Sequence, residues 1–166
     1  MVVLTLMSTR HQLIKKFLVS IPDVYAQHHG LGIVLDAFFQ IKTGLDLSAR
    51  EPDILFVAKG NFGRLKKNYL NGQANLVIEI FPPQSRLHNQ GEKFTKYELG
   101  AVRKHWLSDL DEQQADFYQL GADAHYQVVD PEPDKIHSLQ TVPGFWLKAD
   151  WPFQGSLSSN FKVLKE

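Results

Sequence analysis

The chain has 166 residues, 43% apolar and 22% charged, and its 18 basic and 18 acidic side chains cancel to a formal net charge of zero. That length suffices for one domain with a sizeable core. The zero balance argues against strong non-specific nucleic-acid binding, which scales with phosphate neutralisation, but leaves room for a local basic patch. With no cysteine, disulfides and thiolate zinc sites are excluded, and a cytoplasmic location fits.

Residues 1–7 read as a short strand that looks like the remnant of a longer start. They lack a basic n-region and a small-residue cleavage site, so no signal peptide is expected, and no apolar run is long enough to span a membrane. Thr9 with Gln12 fits a capping box, after which Leu13, Ile14, Phe17, Leu18 and Ile21 recur at helical spacing. Pro22 reads as the start of a second helical segment, stopped by Gly30. Residues 32–41 form one predicted strand, 42–50 a polar loop, 53–58 a strand, and 59–74 a loop with one helical turn. Strand 75–81 ends at Pro82-Pro83, where proline leaves a central strand. A helix is predicted over 87–99, with Phe94 and Tyr97 on its buried side. Short strands follow at 104–109, 116–120, 126–129 and 136–139, with a hairpin turn at 111–114. Residues 145–151 are apolar and close the core, and the polar tail from Gln154 reads as partly disordered. The fold class is α/β on the border of α+β: a mixed central sheet flanked by helices. Residues 1–153 form one domain and 154–166 a tail.

Two of the apolar runs each carry one acid. Asp53 opens E-P-D-I-L-F-V-A, and Glu79 interrupts N-L-V-I-E-I-F. A carboxylate inside such a run must be neutral, paired or bound to a metal. Two carboxylates on neighbouring strands could share a hard cation such as Mg²⁺, which takes oxygen ligands, and a lysine on the following helix could reach the same point. Each residue also has a plainer reading: a strand-entry turn after Pro52 for Asp53, an edge-strand acid for Glu79, and an ordinary solvated helix lysine for Lys93. The histidines show no metal-ligand spacing such as H-E-x-x-H, although His11 could point toward the site from the first helix. Arg64, Lys66 and Lys67 could touch phosphates or simply line a solvated loop. Trp146 and Trp151 read as core.

These residues resemble the Uma-type family of small bacterial proteins, a restriction-endonuclease family within the PD-(D/E)xK nuclease superfamily. The resemblance is carried by Pro52-Asp53, by residues 75–85, by Lys93, Tyr97, Val102 and Trp106, by Arg10-His11-Gln12, and by V-P-G-F-W-L at 142–147. Where the superfamily pattern puts lysine two residues after the acid, this chain has Phe81, and Lys93 matches the lysine that the family carries on the following helix. Asn89, Ala101 and Pro82 also depart from the family pattern. The resemblance implies a restriction-endonuclease-like fold and a metal-dependent endonuclease acting on DNA. Asp53 and Glu79 would be catalytic metal ligands for Mg²⁺ (Mn²⁺ as the alternative), with the Ile80 carbonyl as a third, and Lys93 would act on water or on phosphate charge. A homodimer is expected, because two-fold-related sites suit cutting both strands of a duplex. The competing readings are a catalytically weak member that binds nucleic acid or a protein partner, and a metal-dependent hydrolase of another phosphoester.

Overall fold

The computed structural model describes residues 8–43, 49–81, 86–110 and 112–154, and for residues 86–90, 92 and 93 the backbone alone. The strand expected at 1–7 and nearly all of the polar tail lie outside the described residues. In chain order the elements are α1 (Thr9–His28), β1 (Gly32–Asp36), β2 (Gln40–Lys42), β3 (Ile54–Ala58), β4 (Tyr69–Asn71), β5 (Leu76–Phe81), α2 (Arg86–Leu99), β6 (Lys104–Asp109), β7 (Gln114–Leu120), β8 (Tyr126–Val128), β9 (Ile136–Ser138) and β10 (Trp146–Lys148). Short 3₁₀ turns occupy Lys59–Arg64, Pro133–Lys135 and Trp151–Phe153.

Helix α1 starts one residue earlier than its sequence signal. Ser8 is the N-cap, its hydroxyl accepting the His11 N–H at 3.2 Å, so the box read at Thr9 is shifted by one position. Nor does Pro22 open a second segment, since it lies inside one continuous helix. Its ring forgoes one backbone hydrogen bond, but Ile21, Pro22 and Ala26 are all buried on the same stretch, and that packing keeps the helix running. The stop is as expected. Gly30 takes φ +62°, its N–H donates to the Gln27 carbonyl, and Leu31 N–H donates to the Ala26 carbonyl at 2.8 Å, the paired bonds of a Schellman motif.

The strand expected over 32–41 is two strands. Phe39 N–H turns back to the Asp36 carbonyl at 3.1 Å, so β1 stays in the main sheet while β2 leaves it. β2 pairs in parallel with β4, a strand inside the segment read as loop. The main sheet has the order β1-β3-β5-β6-β7-β8. Only the β5–β6 pair is parallel, and α2 supplies the crossover that a parallel pair needs. This is the mixed, helix-flanked sheet expected from the sequence.

Strand alternation sorts the core into two layers. Ile54, Phe56, Leu76, Ile78, Ile80 and Trp106 join Ile14, Phe17, Leu18 and Ile21 of α1, roofed further along by Leu147, Trp151 and Phe153. Leu55, Val57 and Val77 face the other way, against Tyr97 and Val102, with Ile41 and Leu70 from the small sheet. Each fully buried aliphatic or aromatic side chain contributes roughly 1.5–3 kcal/mol, so both faces of β3 and β5 are anchored. That anchoring holds the ends of these strands in fixed register.

Candidate active site

All six residues of β5 are buried. The strand is central, with β3 on one side and β6 on the other, so the edge-strand reading of Glu79 fails. Glu79 is 1% exposed and shares its face with Val77, on the α2 side. Asp53 sits one residue before β3. Ile54 pairs with Ile78, so one more step along this antiparallel ladder sets Asp53 beside Glu79. By the same alternation Asp53 belongs with Leu55 and Val57, on the α2 face. Its carboxylate extends the ladder by side chain, Oδ2 accepting the Ile80 N–H at 2.8 Å.

Glu79 has a partner that the sequence reading did not count among the site residues. The Tyr97 hydroxyl, from α2, donates to Glu79 Oε1 at 2.7 Å. Burial above all, then the charge of Glu79 and its hydrogen bond, and then the charge of Asp53, push the Tyr97 hydroxyl far above the usual tyrosine range, and Arg50 opposes the shift. Tyr97 therefore stays protonated, a fixed donor in a negative field made by the two acids. Arg50 is held nearby by a bridge to Ile41, with Ile41 N–H donating to the Arg50 carbonyl at 2.7 Å. The sequence carried a signal for Tyr97, since it lies one helical turn beyond Lys93 and such residues share a face. It carried none for Arg50, whose approach depends on the excursion of β2 away from the main sheet.

Lys93 lies on α2, as expected, and its side chain is outside the described residues. The structure thus brings Asp53 and Glu79 together with Tyr97, and it sets the Lys93 backbone one turn from that tyrosine. His11 is 2% exposed, and its Nε2 lies 3.3 Å from the Ile80 carbonyl oxygen. It reaches the strand that carries Glu79, but from the opposite face. Arg64, Lys66 and Lys67 are exposed and follow the far end of β3, five or more residues of extended chain and turn from Asp53. Trp151 is in the core, with Trp146 partly buried against it.

Among the described residues no three His, Asp or Glu side chains cluster as a metal site. The local donor set is two carboxylates and the Ile80 carbonyl, all hard oxygens of the kind Mg²⁺ takes. The carbonyl's contact with His11 leaves it a second lone pair. The negative field that raises Tyr97 is one that a bound cation would relieve, so these residues fit such an ion.

The crystal structure of "a putative nuclease belonging to DUF820" from Anabaena variabilis superposes with a TM-score of 0.67 at 16% identity, covering 97% of this chain and 83% of that one. At that identity the likeness establishes the fold. No match was found among curated proteins. The Uma2 family, described as "Putative restriction endonuclease", matches residues 1–150, and this chain belongs to that family.

Proposed function

We propose that the protein is a metal-dependent endonuclease that hydrolyses DNA phosphodiester bonds, with Asp53, Glu79 and Lys93 as its catalytic residues. The observation that supports this reading best is the pair of acids: Asp53 and Glu79 lie on adjacent strands and one face, with Asp53 bonded to the backbone immediately after Glu79. A divalent cation such as Mg²⁺, when bound, would supply Lewis-acid stabilisation of phosphate charge and a more acidic water.

The chain's own residues do the rest. Asp53 and Glu79 would hold the cation through their carboxylate oxygens, with the carbonyl of Ile80, the residue after Glu79, as a third oxygen. Tyr97 holds Glu79 in one orientation through its hydroxyl, which cannot become a competing anion. Burial of β5 on both faces keeps water away from the rear of the site. Lys93, leaving α2 one turn before Tyr97, donates from its ammonium to the developing phosphate charge or orients the attacking water. Plasmid nicking with Mg²⁺ or Mn²⁺ against EDTA tests the reading. Cation-dependent nicking that Asp53→Asn and Glu79→Gln each abolish is the expected result. Binding of DNA without any nicking in either cation would instead favour a non-cutting member of the family.

A further inference from the structure

A cleft of about 570 Å³ opens at the end of the sheet away from the two acids. Asn75 precedes β5, Arg103 and Lys104 stand at the head of β6, Gln119 pairs with Lys104 across to β7, and Gln140 and Thr141 follow β9. Glu79 pairs with Leu107, so Lys104 lies three residues, roughly 10 Å, back along β6. It also faces the other layer, near His137, whose titration feels its charge. The cleft is a second place on the molecule, and nothing in the nuclease reading uses it.

Its chemistry is one-sided. Lys104 is 7% exposed, burial lowers its ammonium from the usual lysine range, and among the described residues no carboxylate lines the cleft. Among the described residues no acid pairs with Lys104 or with Arg103. Lys104 lays its stem over the core and lines the cleft beside Arg103, so two cations share it. The Thr141 hydroxyl is buried with no hydrogen-bond partner. Around these stand an exposed guanidinium and three carboxamides, all able to donate. Such a set offers more donors than the two oxygens of a carboxylate can accept, and it matches the oxygens of a phosphate.

We propose that this cleft binds a phosphate group through Lys104, Arg103 and Thr141, whether carried by a nucleic-acid backbone or by a free phosphorylated molecule. The proposal stands whether or not the acid pair cuts DNA. The test titrates the full-length protein with inorganic phosphate, against sodium chloride at matched ionic strength, and separately with a short DNA duplex in EDTA. The parent is compared with Lys104→Met and Arg103→Gln. Phosphate binding that is about tenfold weaker in the variants, the size of one lost charge-assisted hydrogen bond, is the expected result. If duplex binding weakens in parallel, the phosphate belongs to nucleic acid. If duplex binding is unchanged, it belongs to a small molecule. Weakened duplex binding alone also supports the site, with the backbone as its ligand. Arg103 is exposed, so Arg103→Gln carries the test by itself should Lys104→Met fail to fold. Phosphate affinity equal in parent and variants, with duplex binding likewise unchanged, would overturn the proposal. So would the absence of any phosphate-specific response together with duplex binding that the substitutions leave unchanged.

Discussion

At the scale of single residues, Glu79 and Lys93 should separate cleanly. In the proposed enzyme Glu79→Gln loses both nicking and calorimetric Mg²⁺ binding, whereas Lys93→Ala loses nicking, retains Mg²⁺ binding and folds as well as the parent, because alanine is the best helix former. Lys93→Ala cutting as fast as the parent would sink its assigned role. Tyr97 gives a second test. Tyr97→Phe leaves the buried Glu79 oxygen without its hydroxyl donor, a change worth roughly 1–3 kcal/mol. Urea unfolding should register that loss, and adding Mg²⁺ should raise the stability of the parent, since a ligand that binds only the native state stabilises it. A parent whose stability Mg²⁺ leaves unaltered would mean that the cation does not bind the native site.

At the scale of elements, β9 carries a pH-sensitive contact. His137 is buried and stacks on Phe117 of β7, ring centroids 3.5 Å apart and 17° from parallel. Burial first, then the Lys104 charge, lower its pKa to about 4 from 6.5. Between those values the unfolded chain binds the proton and the native chain does not. Stability is therefore complete above about pH 6.5 and falls as pH drops toward 4, by up to roughly 1.4 kcal/mol per unit from this one group. Melting temperatures across that window should fall more steeply for the parent than for His137→Phe.

The elements also show what the sequence could reveal. β5 and α2 were legible because each has a strong local signature, a run of apolar residues and a periodic face, and β6 showed as a short segment around Trp106 and Leu107. The break after Asp36 and the pairing of β2 with β4 were not, because three-residue strands carry no periodicity and their partners lie far off in sequence. Pro22 misled for a related reason, since tertiary burial outweighed a local helix-breaking signal. In the site, the two acids were visible as charges in apolar company. The Tyr97 bond needed the packing of α2 on the sheet, and the approach of Arg50 needed the small sheet.

At the scale of the whole molecule, no described helix is long and apolar enough to cross a membrane, and the chain carries no net charge to draw it to DNA. In the proposed enzyme, association with a duplex would come from local features and from pairing of copies. A two-fold dimer would set two acid pairs against opposite strands. Sedimentation equilibrium should show a concentration-dependent dimer, and a monomer at every concentration would overturn the expected two-fold pairing.

Ile80 is held from both sides, its N–H by Asp53 of the sheet and its carbonyl facing His11 of α1. Its amide proton is thus a resident probe of the carboxylate it touches. In a ¹H–¹⁵N spectrum the Ile80 resonance should move when Mg²⁺ reaches Asp53, even in Lys93→Ala, where no DNA is cut. It should also move in His11→Ala without any cation, because the carbonyl that His11 faces belongs to the next peptide plane, joined to the amide through the Ile80 Cα. One peak would then report ion loading and the seating of the first helix, in a protein that need not turn over at all.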